Sequence, residues 1–376
     1  MVYPWRMPPP LPAGPARSEA WALGPEELAQ RLDASGEATF AALQRPWRWR
    51  GGRPDVSERI GTGLAEIGCA LPRIVARRAS EDGAHKLLLA LPSRRAGEDY
   101  VELVHMPRDV RNARVTLCLS SQVGCALGCR FCATAALGLE RHLSAGEIVA
   151  QVLLALHELG PRHPHELTLV FMGMGEPLHN LPQVARAIQT LALPAGLGLA
   201  ARRITVSTAG LVPQITELAR MSPRPLLAVS LNATTDELRS ELMPINRRYP
   251  LAELRAALER YPCRPRERIT VEYVLLAGVN DTPADAARLA DFCAGFPHQI
   301  NLIPFNGHAH APFRAPSEAA LEAFVHAVLQ RRPSVLSVRR SRGRDIDAAC
   351  GQLAGSLTAA GTALTEGRGQ GSGVRG

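Results

Sequence analysis

Short apolar and β-branched runs alternate with amphipathic segments through the middle of the chain. The amphipathic stretch over residues 144–159 is one example, and Ser144 with Glu147 forms a capping-box pattern at its start. Such repeated strand–helix units predict a parallel sheet covered by helices. The six predicted strands are Val115–Leu119, Leu167–Met172, Ile204–Ser207, Leu226–Leu231, Ile269–Leu275 and Ile300–Pro304. Six units are fewer than the eight of a closed TIM barrel. The predicted fold class is therefore α/β, a partial (β/α)6 barrel with its chemistry at the carboxyl ends of the strands.

The flanking segments differ in pattern from this predicted core, which spans residues 96–355. Residues 1–24 are rich in proline, glycine and alanine, and we expect them to be poorly ordered. Residues 25–95 predict a small N-terminal helical domain, because helical periodicity runs from about Gly24 to Leu91. Residues 356–376 lack apolar periodicity and predict a flexible tail.

The segment from Arg45 to Arg50 interleaves two tryptophans with arginines. Such a run can stack on bases and neutralise phosphates. The alternative is that the two tryptophans anchor the small helical domain. The sequence leaves both interpretations open.

The composition is that of a globular protein with a basic surface. Of the 376 residues, 46% are hydrophobic and 21% are charged, so the chain can bury a sizeable core. The net charge of +8 favours an anionic partner such as nucleic acid, although an arginine-rich proteome gives the same excess. Prolines near the start do not fit a signal peptide, and no apolar run reaches about 18 residues. We therefore expect a cytoplasmic protein without a membrane span.

Three cysteines on one loop carry the strongest chemical signal. Cys125, Cys129 and Cys132 follow the first predicted strand with the spacing C-x3-C-x2-C. A [4Fe–4S] cluster usually takes four thiolates, so three local ligands leave one iron open, as a catalytic metal site requires. The alternative is a structural zinc site with His142 as the fourth ligand, but zinc sites more often pair two C-x2-C elements. The spacing favours the cluster.

This spacing is the signature of the radical S-adenosylmethionine superfamily, and further motifs narrow the resemblance. From about residue 98 to residue 355 the chain resembles the RlmN/Cfr family of RNA adenine methyltransferases, and it is closer to the RlmN branch. The motifs that carry the resemblance are Val101–Pro107, Thr116–Cys125, Gly173–Leu178, Ile204–Thr208, Leu302–Asn306 and Asp345–Leu353. The resemblance implies a barrel of the radical S-adenosylmethionine type, with residues 25–95 as an RNA-binding accessory domain.

The resemblance also implies a reaction that uses two further cysteines and a glutamate. Cys350, as a thiolate, receives a methyl group from one S-adenosylmethionine. A second S-adenosylmethionine at the cluster yields a 5′-deoxyadenosyl radical, which removes a hydrogen from that methyl group, and the methylene radical adds to adenine. Glu102 accepts the proton from the modified carbon, and a transient Cys118–Cys350 disulfide forms as the thioether breaks.

Judged alone, Cys118 in an apolar strand would more often be a packing residue. The cysteines that match no motif are expected to pack: Cys69, Cys263 and Cys293.

Short polar residues at later strand ends are candidates for binding S-adenosylmethionine. Gly175 and Glu176 offer a backbone free of side chain and a carboxylate for the ammonium group. The predicted cofactor-binding residues are Gly175, Glu176, Ser207, Ser230, Leu231, Asn232 and Asn306. The family usually has histidine at the position of Asn232, and asparagine keeps the hydrogen-bonding capacity without titrating near neutral pH. We interpret this exchange as tolerated, and a shifted substrate or regiochemistry is the alternative.

Arginine clusters near the predicted site fit an RNA partner. Lys86 is the only lysine, so nearly all the positive charge is carried by arginine, whose planar head group suits phosphate. Each cluster alone is more often a solvated face. The clusters are Arg202–Arg203, Arg247–Arg248, Arg264 with Arg266 and Arg268, and Arg339 with Arg340, Arg342 and Arg344.

By analogy with the RlmN branch, we expect methylation at C2 of an adenosine in 23S rRNA near the peptidyl transferase centre, and in tRNA beside the anticodon. The enzyme would act as a monomer with one [4Fe–4S] cluster, two S-adenosylmethionine per turnover and an electron donor such as flavodoxin. One alternative is Cfr-type methylation at C8, which confers ribosomal antibiotic resistance. A non-catalytic, metal-containing RNA-binding protein is the other.

Overall fold

The structure is a computed structural model that describes residues 18–46, 54–93, 97–107, 114–160, 166–308, 311–340 and 342–353. Its main sheet contains β1 (Arg73–Ala79), β2 (His85–Pro92), β3 (Glu98–Pro107), β4 (Val115–Cys118), β7 (Leu167–Phe171), β8 (Ile204–Thr208), β9 (Leu226–Ser230), β10 (Ile269–Leu275), β11 (His298–Pro304) and β12 (Leu336–Val338). A separate two-stranded ribbon pairs β5 (Gln122–Gly124) with β6 (Leu139–His142). The order in the main sheet is β1-β2-β3-β4-β7-β8-β9-β10-β11-β12.

The strands from β4 to β12 in this sheet are parallel. Six of them coincide with the predicted strands, and the short β12 adds a seventh to the described part of the sheet. Their apolar residues are buried on both faces, as parallel sheets require. The predicted α/β fold class, a partial barrel of strand–helix units, is confirmed.

Helices precede, connect and follow these strands. They are α1 (Pro25–Leu32), α2 (Gly36–Leu43), α3 (Glu58–Ile67), α4 (Ala133–Ala136), α5 (Ala145–Leu159), α6 (Leu181–Ala192), α7 (Val212–Ala219), α8 (Asp236–Leu242), α9 (Leu251–Glu259), α10 (Pro283–Phe292) and α11 (Glu318–Arg331). The predicted capping box begins α5: Ser144 Oγ accepts from Glu147 N at 3.2 Å, and Ser144 N donates to Glu147 Oε2 at 2.8 Å. Within the described residues, no helix is long and apolar enough to cross a membrane.

The N-terminal region is helical only as far as Ile67. The prediction of helix up to Leu91 is wrong, because β1 and β2 form there and pair antiparallel. Through β3 they extend the main sheet on the side of β4. The apolar run over residues 87–91 explains the error, since a continuous apolar run fits a buried helix and a buried strand equally well.

Residues 18–24 are also more ordered than expected. They contain a 3-10 helix, Glu19–Ala22, in which Trp21 is 1% exposed and donates from Nε1 to the Ala70 carbonyl at 3.1 Å. The prediction of poor order through Gly24 is therefore wrong for this stretch, where a buried aromatic ring anchors the chain. Residues 1–17, both tryptophans of the Arg45–Arg50 segment and the predicted tail 356–376 lie outside the described residues.

Candidate active site

The three-cysteine loop runs from β5 to α4 and is tightly wound. Gly124 has φ of 73°, and a Cβ at this position would approach the Gly138 carbonyl oxygen to 1.8 Å, so only glycine fits. Next to it, Cys125 N donates to that carbonyl at 2.7 Å. Cys132 N donates to the Cys129 carbonyl at 3.1 Å. These bonds hold the loop so that all three cysteines line one pocket.

This pocket lies at the carboxyl ends of the parallel strands. The predicted residues that line it are Cys125, Cys129, Cys132, Gly175, Glu176, Ser207, Ser230, Asn232 and Cys350. Two predicted cofactor-binding residues are placed elsewhere. Leu231 is fully buried in the core, and Asn306 Nδ2 donates to the Cys350 carbonyl at 3.4 Å.

The thiols of the loop suit a cluster with several positive metal ions. Burial raises the pKa of Cys125 to about 12 and also raises the pKa of Cys129 and Cys132. Three thiolates in such a place require positive charge beside them. A [4Fe–4S] cluster supplies that charge and binds each sulfur through a different iron. The donor set of three sulfurs facing a pocket therefore fits such a cluster.

The zinc alternative finds no support in the placement of His142. Its Nδ1 is 2.9 Å from Gln122 Nε2, and its ring lies edge-on to His179, with centroids 4.9 Å apart. His142 is not among the residues that line the pocket. Within the described part of the chain, no group of three or more histidine, cysteine, aspartate or glutamate side chains is arranged to hold a single metal ion.

Glu176 is a buried carboxylate at the end of β7. Burial raises its pKa to about 7, although hydrogen bonds from Ala209 N at 2.8 Å and Leu178 N at 3.1 Å stabilise the charge. Gly175 has φ of 100°, and its missing side chain leaves room for Gln122, whose Oε1 accepts from Glu176 N at 2.7 Å. A ligand cation in the pocket would offset the desolvation of Glu176.

Two charged residues near the pocket were not predicted as site residues: Glu272, which lines the pocket, and Arg339, which lines a smaller cavity with Cys350. Glu272, on β10, accepts from Ser207 Oγ at 3.1 Å, and its Oε1 lies 3.7 Å from Arg339 Nη1. Arg339 follows β12, and its pKa is raised mainly by Cys350, with Glu272 adding to the effect. Arg339 was predicted to belong to a basic surface cluster, because nothing in the sequence shows that its side chain turns inward.

The backbone at the ends of β8 and β9 is held by Arg239. This residue is 0% exposed and donates to the carbonyls of Leu231 at 3.0 Å and Ala209 at 2.7 Å. Its Nη1 also donates to Asn246 Oδ1 at 3.0 Å. Burial lowers the pKa of Arg239 to about 10. A single arginine in an amphipathic helix gives no sequence signal of this role.

Asn232 occupies a left-handed backbone conformation, with φ of 57°. Its Oδ1 accepts from Val274 N at 2.8 Å, and its Nδ2 donates to Met243 Sδ at 3.3 Å. Asparagine is among the few residues that adopt this conformation readily. The local backbone therefore accounts for asparagine here, which agrees with interpreting the exchange as tolerated.

Cys118 and Cys350 line the same small cavity, together with Arg339 and Met172. Cys118 ends β4 and is buried, and burial raises its pKa to about 12, with Cys350 adding to the shift. Cys350 also lines the larger pocket beside the three-cysteine loop. It thus lies where the two cavities meet.

The segment that carries Cys350 is fixed at both ends. Near its start, Asp345 Oδ1 accepts from Ser80 Oγ at 2.5 Å, in the turn between β1 and β2. Near its end, Thr134 Oγ1 donates to the Leu353 carbonyl at 2.5 Å, and Ala133 N donates to the Gly351 carbonyl at 2.7 Å. The segment therefore connects the antiparallel strands to the helix that follows the cysteine loop.

Glu102 lies on the strand beside Cys118 and shares its face of the sheet. Val104 is paired with Cys118 across β3 and β4, and Glu102 is two residues from Val104. The Glu102 side chain is 5% exposed, and its Oε1 lies 3.5 Å from Lys86 Nζ. Lys86 was not predicted as a site residue, because the segment that forms β2 was expected to be helical.

The arginine clusters lie on different sides of the molecule. Arg202–Arg203 and the cluster at 264–268 precede β8 and β10, so they lie at the edge opposite the pocket. Arg247–Arg248 follow α8 and are exposed. The arginines after β12 are mostly used within the protein: Arg339 with Glu272, Arg340 with Glu318, and Arg342 with Asp82.

Comparisons with known proteins agree with this architecture. A family model described as the radical SAM superfamily matches residues 119–290. The dual-specificity RNA methyltransferase RlmN of Syntrophotalea carbinolica is 46% identical over 345 residues, 89% of this chain and 88% of that protein. The RlmN of Syntrophobacter fumaroxidans is 48% identical over 87% of this chain and 95% of that protein.

A solved structure extends the comparison to three dimensions. The crystal structure of a radical SAM methyltransferase from Sphaerobacter thermophilus has a TM-score of 0.81 and 39% sequence identity. The match covers 89% of this chain and 99% of that chain. The family model spans the cysteine loop and the strands from β7 to β10. The chain therefore belongs to the RlmN family of radical S-adenosylmethionine RNA methyltransferases.

Proposed function

We propose that this enzyme methylates C2 of an adenosine in 23S rRNA near the peptidyl transferase centre, and of the adenosine beside the anticodon in tRNA. The observation that carries the proposal is the position of Cys350, which lines both the pocket of the cysteine loop and the cavity of Cys118. A methyl carrier must meet S-adenosylmethionine on one side and a second thiol on the other. The relatives are named dual-specificity RNA methyltransferases, which supports RNA as the class of substrate.

In this proposal the Cys350 thiolate takes the methyl group of S-adenosylmethionine in the larger pocket. The Arg339 guanidinium lines the small cavity with Cys350, so a positive charge lies near the sulfur, whose thiolate is the nucleophilic form of cysteine. Glu272 in turn holds Arg339, with 3.7 Å between their charged atoms. The positive charge thus remains beside the reacting sulfur.

Cys125, Cys129 and Cys132 would hold a [4Fe–4S] cluster, and the pocket beside them would bind S-adenosylmethionine. When bound, cluster and S-adenosylmethionine supply the radical that removes a hydrogen from the methyl group on Cys350. Glu176 binds the ammonium group of S-adenosylmethionine, while Ser207, Ser230 and Asn232 offer hydrogen-bonding groups along the pocket wall. Two S-adenosylmethionine are consumed per turnover, because one supplies the methyl group and the other supplies the radical.

Release of the methylated base would use the other cavity. Glu102 accepts the proton that leaves the modified carbon, and the unpaired electron of the adduct would pass back to the cluster. The Cys118 thiol then forms a disulfide with Cys350 as the thioether breaks, and the thiol proton completes the methyl group. Cys118 shares the small cavity with Cys350, which supports this pairing. Its buried thiol has a pKa of about 12, raised by burial, so Cys118 is a neutral thiol until the reaction requires it.

The RNA and the reductant would meet the enzyme outside the pocket. Arg247 and Arg248 are exposed arginines in the connection after β9, at the pocket edge of the sheet, and suit RNA phosphates. The N-terminal domain would contribute further RNA contacts. The enzyme would act as a monomer, with a flavodoxin-type electron donor.

Nucleoside analysis tests this proposal. RNA from cells with and without the protein is digested, and methyladenosines are identified by mass spectrometry. Cells that carry the Cys263→Ala variant serve as a control that should match the wild type, because that thiol lies outside the pocket. We expect 2-methyladenosine in 23S rRNA and in tRNA only when the protein is present. Detection of 8-methyladenosine alone would overturn the C2 assignment. Failure of the anaerobically reconstituted enzyme to form 5′-deoxyadenosine from S-adenosylmethionine and dithionite would overturn the radical mechanism.

A further inference from the structure

The sole lysine of this chain contacts Glu102, the residue proposed as the proton acceptor. Of 43 basic residues, 42 are arginines, yet the one that contacts Glu102 is Lys86. The Lys86 side chain is 11% exposed, and the Glu102 side chain is 5% exposed. Solvent screens an ion pair at this depth less than one at the surface.

A second contact ties Lys86 to the segment that carries Cys350. Lys86 Nζ donates to the Asp347 carbonyl at 3.0 Å, three residues before Cys350. Lys86 on β2 is paired with Val104 on β3, which is paired in turn with Cys118 on β4. Directly opposed residues of antiparallel strands share a face. Lys86, Glu102 and Cys118 therefore lie on one face of the sheet, under the Cys350 segment.

We propose that Lys86 is a positioning residue for proton removal, which holds Glu102 as a carboxylate and fixes it relative to the Cys350 segment. The proposal rests on the proposed function, because it takes Glu102 as the proton acceptor. A buried carboxylate is stabilised in its ionised form by an ammonium group at this distance. The proton passes from carbon to the Glu102 oxygen, and no bond to Lys86 changes.

The ammonium group suits this role better than a guanidinium would. It is a compact point charge with three rotatable donors, and it contacts a carboxylate and a carbonyl at once. A guanidinium is planar and needs more room. Other charged or titratable groups lie on this face. Arg78 on β1 is paired with Lys86, and β4 and the C-terminal segment contribute Cys118, Arg339, Arg342, Asp347 and Cys350. His85 and His105 point to the opposite face, because they alternate with Lys86 and Val104.

The test compares Lys86→Met with Lys86→Arg in the reconstituted, cluster-loaded enzyme, using a 23S rRNA fragment as substrate. Arg78→Met is the matched control, because Arg78 lies on the neighbouring strand 3.7 Å from the Asp347 carboxylate but is exposed. Three quantities are measured from about pH 6 to about pH 9: methylation of Cys350 by peptide mass spectrometry, 5′-deoxyadenosine formed, and methylated RNA released.

For Lys86→Met we expect Cys350 methylation and 5′-deoxyadenosine formation to persist, while a protein–RNA adduct accumulates. Released product should fall at least about tenfold at pH 7 and recover as the pH rises, with the profile displaced upward by about 1 to 3 pH units. Lys86→Arg keeps the charge, so its profile should stay at the wild-type position even if its rate is lower. Arg78→Met should match the wild type.

The proposal would be overturned by a Lys86→Met variant whose product yield and pH profile match the wild type. It would also be overturned if Lys86→Arg shifted the profile as far as Lys86→Met, since the charge would then not be the cause. Loss of Cys350 methylation in Lys86→Met alone would make Lys86 a structural anchor of the segment. Absence of Cys350 methylation in the wild type would instead contradict the proposed function.

Discussion

Cys118, at the end of a parallel strand, and Cys350, near the end of the described chain, line one small cavity. Cys350 alone of the two also lines the pocket of the three-cysteine loop. The two cavities are thus adjacent, and Cys350 and Met172 line both of them. This arrangement separates the place where a methyl group would be loaded from the place where the product would be released.

Arg339 is expected to control the reactivity of Cys350 towards S-adenosylmethionine. Arg339→Met removes the guanidinium that lines the small cavity with Cys350, so methylation of Cys350 should slow at least about tenfold. Arg339→Lys should retain part of the rate. The neighbouring Arg340→Met is the control, because Arg340 is exposed and pairs with Glu318. Equal rates of Cys350 methylation in Arg339→Met and the wild type would exclude this role.

The three loop cysteines should be sufficient to hold the cluster, without Cys350. Cys132→Ala is expected to lose iron and the brown chromophore after anaerobic reconstitution, and with them 5′-deoxyadenosine formation. Cys350→Ala should keep its iron and its brown chromophore, because its thiol acts on the methyl group and does not hold the cluster. Iron content and absorbance decide the matter. A Cys350→Ala protein without iron would make Cys350 a fourth ligand and contradict the open iron site.

Glu176 should make the stability of the cluster-free protein depend on pH. Its pKa is about 7 in the folded protein, raised by burial from 4.5, so its contribution is full below about pH 4.5 and is lost as the pH rises through 7. Relative to Glu176→Gln, the wild type should lose up to about 3 kcal/mol of unfolding free energy across this window. Denaturant unfolding at both ends of the window measures the difference, with the exposed Glu217→Gln as control. A difference that does not change with pH would refute the burial of a titrating carboxyl.

Gly175 is expected to tolerate no side chain. A Cβ there would lie 2.5 Å from the Gln122 Cβ, and φ is 100°. Gly175→Ala should therefore displace Gln122 and Glu176, and abolish S-adenosylmethionine binding. Gly278→Ala is the matched control: φ is 69° and nothing lies within 4 Å, so only a backbone cost of about 1 kcal/mol applies. Calorimetry measures the binding of S-adenosylmethionine to both variants. Tight binding by Gly175→Ala would show that the turn can relax around an added side chain.

The parallel core could be predicted from sequence because each strand is a short apolar run between helices with their own capping signals. β7 and β10 lie at the predicted positions, and the Ser144–Glu147 box begins α5. The antiparallel extension could not be predicted. The apolar run over residues 87–91 fits a helix as well as a strand, and only pairing with β3 decides between them.

The site was predictable where a motif has regular spacing and unpredictable where the fold brings distant residues together. The C-x3-C-x2-C spacing predicted an iron–sulfur cluster, and the family resemblance suggested Cys118, Cys350 and Glu102 as reacting residues. Neither the cysteine spacing nor the family resemblance indicated a role in the site for Arg339 or Lys86, because both are basic residues in an arginine-rich chain. Their roles depend on burial beside Glu272 and Glu102, which arises only in three dimensions.

The central claim is that a carbon bound to the Cys350 sulfur becomes the methyl group of the RNA. The Cys118→Ala enzyme, given S-adenosylmethionine, reductant and a 23S rRNA fragment, tests it most directly. After digestion with protease and nuclease, mass spectrometry should find the Cys350 peptide joined to an adenosine through one added carbon. Free methylated RNA released by Cys118→Ala at the wild-type rate, with an unmodified Cys350 peptide, would contradict the account.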